Sequence, residues 1–204
     1  MEELVLDKCK ALESLPSTIG QLESLTSLQM RECKSVEQLP ESIGNCRALV
    51  DVGLSKCMGL TSLPDSIGKW SMVEDLILAK CKLLTQLPAT LGQCRALSLL
   101  DLRNCKKLES LPESLGHLRS LRVLDLSTCK SLKALPVSLG DLGKLEELNV
   151  TDCLVLKEIP VSVLEKKGSI LIGWEGENGK KEKSGCAASL TCEVDATCVS
   201  SSVL

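Results

Sequence analysis

Leucines and other apolar residues recur along this chain in a pattern that repeats every 24 residues. In residues 97–120, LSLLDLRNCKKLESLPESLGHLRS, Leu100 and Leu102 are two residues apart, whereas the later leucines are three or four residues apart. The first spacing predicts a short β-strand with both leucines facing inward, and the second is typical of a looser arm with one apolar stripe. Each repeat is therefore expected to contribute one strand and one arm.

Three other residue types keep the same period. Cysteine occupies positions 9, 33, 57, 81, 105, 129 and 153, proline 16, 40, 64, 88, 112, 136 and 160, and glycine 20, 44, 68, 92, 116 and 140. Seven turns without an insertion predict a stacked fold that grows in one direction. We expect an α/β repeat solenoid, a horseshoe in which about seven parallel strands form the concave sheet and irregular or short-helical segments form the wider convex arm.

The repeated residues suggest structural roles. A cysteine just after each strand is small and easily buried, and its thiol can donate to a turn carbonyl. A metal or disulfide ladder is the alternative interpretation, which the wide spacing does not favour. Gly116 and its equivalents are expected either to adopt positive φ or to let neighbouring turns approach closely. A column of hydroxyl residues is expected to bond the local backbone near the proline: Thr18, Ser42, Ser66, Thr90, Ser114, Ser138 and Ser162.

Domain boundaries follow from where the period stops. Residues 1–174 are predicted to form the solenoid, comprising seven repeats and a partial C-terminal cap in which Ile170, Ile172 and Trp174 add a last strand. Residues 175–204 begin with the polar, Gly-rich EGENGKKEKSG and are predicted to form a disordered tail. The first repeat starts at Met1 without a polar cap, which suggests either a fragment or a short gene product derived from a longer protein.

Composition narrows the function classes. The 204 residues include no Phe or Tyr, so leucine must fill the core, and the net charge of −3 does not favour nucleic acid as a partner. No apolar run is long enough to predict a membrane span. Twelve cysteines without a secretory signal are interpreted as reduced thiols, which predicts a cytoplasmic protein. No cofactor is indicated, and a monomer is expected.

The pattern LxxLxLxxCxxLxxLPxxIGxLxx resembles the leucine-rich repeat, with cysteine at the position that holds Asn or Cys. The segments LPESIGNCRAL at 39–49 and LPESLGHLRSLRVLDLSTCKSLKALP at 111–136 resemble the repeat region of plant nucleotide-binding, leucine-rich-repeat disease-resistance receptors. That resemblance covers residues 1–168 and implies a role in intracellular defence signalling. Plant Ras-group proteins and Ras-pathway scaffolds share LPxxIGxLxxL, and such a scaffold is the alternative.

Outward-facing strand positions vary while the framework stays constant, as expected of a scaffold with an adjustable binding face. Apolar residues there have a charged rim, which is typical of a protein interface. The residues predicted to contact a protein partner are Asp51, Asp75, Ile77, Leu99, Asp101, Arg103, Arg122, Val123, Asp125 and Glu147.

Two further readings of the sequence concern charge and catalysis. Lysines at 10, 34, 82, 106 and 130, with those at 8, 56 and 80, predict a basic ridge that either is simply solvated or steers an acidic partner. An enzyme acting through the tail or the acidic face is a further alternative. However, the single histidine, His117, has no nucleophile or acid placed to work with it. The sequence thus predicts a non-enzymatic protein-recognition module whose partner it does not identify.

Overall fold

A computed structural model of the chain describes residues 1–165 and 170–173, which form one parallel sheet with an arm behind each strand. The strands are β1 (Glu3–Val5), β2 (Ser27–Gln29), β3 (Asp51–Gly53), β4 (Asp75–Ile77), β5 (Leu99–Asp101), β6 (Val123–Asp125), β7 (Glu147–Asn149) and β8 (Ile170–Ile172). They are ordered along the sheet as along the chain, so β1 and β8 lie at opposite edges and the sheet is open. The predicted repeat solenoid is confirmed.

β8 provides the additional strand that the sequence predicted at the C-terminal end. It pairs in parallel with β7, with Glu147 opposite Ile170 and Asn149 opposite Ile172. The step from β7 to β8 is thus 23 residues, whereas earlier strands pair in steps of 24, as in Leu99 with Val123. Trp174, which was expected to complete this cap, and the predicted tail at 175–204 lie outside the described residues.

Short 3₁₀ helices form the arms of the first six turns. They span Ser17–Gln21, Glu41–Asn45, Asp65–Lys69, Ala89–Gln93, Glu113–His117 and Val137–Asp141. Each begins after a proline in an extended conformation, for example Pro112 with φ −71° and ψ 144°. Proline fits this position because its fixed φ suits the turn and its missing N–H is not needed there. In the seventh turn a single α-helical turn, α1 (Val161–Leu164), takes the place of the 3₁₀ helix.

The core lies between the sheet and the arms and consists mainly of leucine. Leu100 and Leu102 have no solvent-exposed surface, which confirms that both leucines of the Leu-x-Leu pair face inward. Trp70 occupies a position that holds leucine or cysteine in other turns and is also fully buried. Its ring packs in the core, and its indole Nε1–H also donates to the carbonyl of Ile43 at 3.0 Å.

The cysteine after each of the strands β2 to β7 donates a hydrogen bond to the preceding turn. The thiol of Cys105 lies 3.2 Å from the carbonyl oxygen of Leu78, which also accepts the backbone N–H of Cys81 at 3.1 Å. A carbonyl oxygen can accept two such bonds, so the thiol uses the remaining acceptor site. Cys57, Cys81 and Cys129 make equivalent bonds. The predicted role of this column, to satisfy a turn carbonyl, is confirmed.

The glycine column allows neighbouring arms to come into close contact. A Cβ atom built on Gly20 would lie 2.5 Å from the carbonyl oxygen of Ser42 in the next turn, and one on Gly116 would collide with that of Ser138. Neither glycine has positive φ. Of the two predicted roles for this column, the close approach of neighbouring turns is therefore the correct one.

The predicted local bonding of the hydroxyl column is wrong. Ser138 Oγ donates to the carbonyl of Glu113 at 2.6 Å, and Ser162 Oγ donates to that of Val137 at 3.0 Å. Both acceptors are 25 residues earlier, because each hydroxyl faces the preceding turn against its glycine. In four other turns the buried hydroxyl has no partner within the described residues: Ser42, Ser66, Thr90 and Ser114.

Candidate functional site

The candidate site is the outer side of the sheet, here called the sheet face. Two in-register rows cross its strands. The first row is Glu3, Ser27, Asp51, Asp75, Leu99, Val123 and Glu147, and the second row is Val5, Gln29, Gly53, Ile77, Asp101, Asp125 and Asn149. A third row, two residues further along each turn, is Asp7, Arg31, Ser55, Ala79, Arg103, Ser127 and Thr151.

Arg103 forms the strongest charge cluster on the sheet face. Its Nη2 lies 2.8 Å from Asp101 Oδ2, and its Nε lies 3.0 Å from Asp101 Oδ1 and 3.5 Å from Asp125 Oδ2. Hydrogen bonding to Asp101 raises the pKa of the Arg103 guanidinium. One guanidinium offsets only one of the two carboxylate charges, so the cluster stays negative overall. Asp101 is only 5% exposed although its strand position faces outward.

Three second-row side chains also hold the turn that follows their strands. The Oδ1 atoms of Asp101, Asp125 and Asn149 accept the backbone N–H two residues further on, at 2.9–3.0 Å. This arrangement is an Asx turn, in which a short side chain replaces a backbone acceptor. Asp101 and Asp125, both predicted as partner contacts, therefore also stabilise the fold.

Asp51 and Asp75 are different, because neither carboxylate has a counter-cation among the described residues. They lie opposite one another on β3 and β4. Asp51 accepts the amide Nε2–H of Gln29 at 2.5 Å. Burial, followed by the proximity of Asp51 and Glu74, raises the pKa of the Asp75 carboxyl. This pair is a negative site that a partner's cation can neutralise.

Apolar side chains lie directly beside this pair. Leu99 follows Asp75 in the first row, and Val123 follows Leu99. Together with Ile77 in the second row, they are half-buried, so part of each remains available for contact. The structure thus brings Asp75, Ile77, Leu99 and Val123 together as the sequence predicted.

The remaining predicted residues lie at the margin of this group. Glu147 is the next first-row residue after Val123. Arg122 precedes β6, and its Nη2 forms an exposed ion pair with Glu146 at 2.5 Å. Exposed ion pairs contribute little to stability, so Arg122 can exchange this partner at low cost.

The covering of Gly53 by a neighbouring side chain was not predicted. The side chain of Gln29, only 7% exposed, lies over Gly53, so that a Cβ atom there would collide with Gln29 Oε1. Gln29 Oε1 has no hydrogen-bond partner within the described part of the chain. A glycine in the second row was the only sequence signal, and it did not indicate which neighbour would cover it.

The described residues show no arrangement typical of a metal site. No group of three His, Cys, Asp or Glu residues within 1–165 and 170–173 is arranged to hold a metal ion. His117 lies exposed at the end of its 3₁₀ helix, on the arm side away from the sheet face. No helix in the described ranges is both long and apolar enough to cross a bilayer.

Comparison with known proteins supports the fold. A Leucine Rich Repeat family model matches residues 96–118, about one turn. A search of curated protein sequences finds no significant match. The leucine-rich-repeat domain of the type III effector XopL is similar in structure, with a TM-score of 0.67 and 22% identity over 85% of this chain and 68% of that one.

Two other solved structures are similar at somewhat higher identity. A leucine-rich-repeat protein of Leptospira interrogans has a TM-score of 0.57 and 29% identity, over 81% of this chain and 47% of that one. The ectodomain of the Arabidopsis thaliana receptor kinase GASSHO1/SCHENGEN3, in complex with CASPARIAN STRIP INTEGRITY FACTOR 2, has a TM-score of 0.53 and 27% identity, over 78% and 22%. This chain thus spans about half of the Leptospira chain and about a fifth of the receptor ectodomain. The leucine-rich-repeat fold typically provides an extended binding surface rather than a catalytic pocket.

Proposed function

We propose that the chain is a non-enzymatic recognition module that binds a protein partner across the sheet face. The observation that carries this proposal is the half-buried apolar group of Ile77, Leu99 and Val123 beside the unpaired carboxylates of Asp51 and Asp75. A partner of matching chemistry presents an apolar side chain next to a Lys or Arg. Pairing that cation with two carboxylates would orient the partner and speed its association.

The similar receptor ectodomain offers a precedent, since its structure is a complex with another protein. The fold does not identify a partner, so binding through the sheet face must be tested on this chain.

The choice of residues to substitute determines what such a test can show. Alanine at Asp101 or Asp125 would remove a turn hydrogen bond as well as surface charge, and alanine at Arg103 would remove the side-chain bonds to Asp101. Each of these changes would confuse folding with binding.

The better variants change surface chemistry without removing these bonds. Leu99→Glu with Val123→Glu places charge on the apolar group, and Asp75→Asn removes one charge at constant shape. Matched controls are Gln21→Glu with Gln93→Glu on the arm side, where both residues are exposed and the charge change is the same. In quantitative pull-down from source tissue, the sheet-face variants should lose partners that the arm variants retain. Equal recovery by all variants, with unchanged circular dichroism, would refute the proposal.

More specifically, we propose that the chain acts as a monomer in defence signalling in the cytoplasm. This proposal is supported by the resemblance of LPESIGNCRAL and its equivalents to plant resistance receptors. Long-read sequencing of transcripts tests it directly. A nucleotide-binding domain encoded in frame with these repeats would support the receptor origin, and transcripts that encode the repeats without such a domain would contradict it.

A further inference from the structure

A second surface lies along the edge where the chain leaves the strands. Five lysines from four successive turns line an open groove of about 370 Å³ there, together with Glu32, Met58 and Asn104. The lysines are Lys34, Lys56, Lys80, Lys82 and Lys106, and this surface is called the lysine groove. It is distinct from the sheet face, and the function proposed above does not use it.

Most of the positive charge in the lysine groove is not neutralised. Lys56 Nζ pairs with Glu32 Oε1 at 2.6 Å. Among the described residues, the other four lysines form no ion pair. Like charges on adjacent turns repel one another, so the groove is poised to bind an anion.

The backbone fixes where two of these lysines begin. Lys56 and Lys80 adopt positive φ, 63° and 65°. Glu32 and Thr128 adopt the same conformation in other turns, so the turn imposes it whatever the side chain, and the charge of the groove alone favours an anionic occupant.

The surroundings of the groove favour one class of occupant. The four turns extend over about 14 Å, because neighbouring strands are about 4.8 Å apart, and an extended peptide of about five residues covers that length.

Acidic residues occur in the same turns, Asp75 on the sheet side and Glu109 on the arm side, so a wide polyanion would meet like charge. Trp70 is buried, and the chain lacks Phe and Tyr, so no aromatic platform for nucleic-acid bases is found in the described residues.

We propose that the lysine groove binds an extended, carboxylate-rich segment of a protein partner. The ammonium groups act as point charges on flexible stems, which suits carboxylates at variable spacing better than one fixed phosphate. Binding is electrostatic, and it weakens as salt shortens the range of these charges.

Fluorescence anisotropy with a labelled Glu-rich decapeptide tests this proposal on the full chain. The variant Lys56→Gln/Lys80→Gln/Lys82→Gln should bind the peptide about tenfold more weakly at low salt than the unchanged chain. The matched control Lys133→Gln/Lys144→Gln/Lys157→Gln makes the same charge change at exposed sites outside the groove and should bind nearly as well as the unchanged chain. Raising NaCl from 50 to 300 mM should remove most of the difference.

A second groove variant guards against a folding artefact. Lys34→Gln/Lys82→Gln/Lys106→Gln leaves the two positive-φ lysines in place and should weaken binding to a similar degree. The proposal is overturned if the unchanged chain does not bind the peptide at 50 mM NaCl, or if the control variant loses as much affinity as the groove variants. Tighter binding of duplex DNA or of phosphatidylserine vesicles than of the peptide would also overturn it.

Discussion

From the second turn to the sixth, the cysteine that follows the strand acts as a buried hydrogen-bond donor. Its thiol must keep its proton for this role, and burial raises the pKa of Cys57 to about 12. A second set of thiols, Cys46 and Cys94, makes equivalent bonds at 3.2 Å to the carbonyls of Ile19 and Ile67 in the arms. Thiol bonds thus link consecutive turns on both sides of the core.

Replacing one such thiol should be costly. Cys105→Ala removes the bond to Leu78 and leaves a small void, so it should lower the free energy of unfolding by about 1–3 kcal/mol. Cys9→Ala, at an exposed cysteine of the same column, should change it by less than about 0.5 kcal/mol. Urea titration measures both, and equal effects of the two would contradict the donor role.

The residue before each of these cysteines has positive φ in all seven turns: Lys8, Glu32, Lys56, Lys80, Asn104, Thr128 and Asp152. Thr128 is the least suited of these, since a β-branched side chain is strained at φ 62°. Thr128→Asn should therefore raise the free energy of unfolding by about 0.5–1 kcal/mol.

Thr85→Asn provides the control, because Thr85 is exposed and is not among the positive-φ residues. It should change stability by less than about 0.5 kcal/mol in the same urea titration. If Thr128→Asn raised the free energy of unfolding no more than Thr85→Asn does, strain at Thr128 would be contradicted.

The role of the repeated cysteine could be predicted from the sequence, whereas the positive φ of the residue before it could not. A cysteine every 24 residues has few physical explanations, so its role could be predicted. The positive-φ position holds Lys, Glu, Asn, Thr and Asp in different turns, and it never holds the glycine that would have revealed it. The hydrogen bonds of the following backbone, such as Cys105 N–H to the carbonyl of Leu102 at 3.1 Å, impose this conformation whatever the side chain.

At the scale of elements, each arm is placed by direct contact with its neighbours. Gly116 lies against the backbone of Ser138, so a methyl group cannot fit without moving one turn relative to the next. Gly116→Ala should lower the free energy of unfolding by about 1–3 kcal/mol, as expected of overpacking.

Gly143 supplies the comparison within the same chain. A Cβ atom there meets nothing within 4 Å among the described residues, and Gly143 is exposed. Gly143→Ala should be neutral or stabilise by up to about 1 kcal/mol, since it restricts only the unfolded chain. If both substitutions had the same effect in thermal unfolding, the arms would not be in close contact.

The elements themselves were largely predictable, whereas the sheet-face contacts were not. The Leu-x-Leu pair and the proline fixed where each strand and arm had to lie, because these positions repeat without an insertion. How Arg103 folds over Asp101, and how Gln29 covers Gly53, depends on side-chain conformations across adjacent turns. A one-dimensional pattern does not contain that information.

At the scale of the whole molecule, many similar thiols should make stability depend on alkaline pH. Burial raises the pKa of Cys94 to about 11 and that of Cys57 to about 12, whereas an unfolded thiol titrates near 9. Between these values the unfolded chain binds fewer protons than the native chain, so stability falls as pH rises.

The free energy of unfolding should therefore be nearly constant from pH 6 to 8 and decline progressively above pH 9. Each buried thiol adds up to about 1.4 kcal/mol per pH unit to that slope. Urea titrations at pH 7, 9 and 10 measure it, with Cys57→Ala/Cys94→Ala as the comparison variant. A slope that the double variant does not reduce would contradict the contribution of these thiols.

The proposed recognition needs the whole array, because the sheet face exists only when several turns stack in register. Site-specific photocrosslinking tests this claim most directly. A photoreactive amino acid is placed at Leu99 or Val123 on the sheet face, or at Gln93 or His117 on the arm side, and crosslinked partner peptides are identified by mass spectrometry. We predict that the two sheet-face positions capture the same partner segment, containing Lys or Arg beside an apolar residue, and that the two arm positions do not. Capture of that segment from the arm side alone would contradict the account.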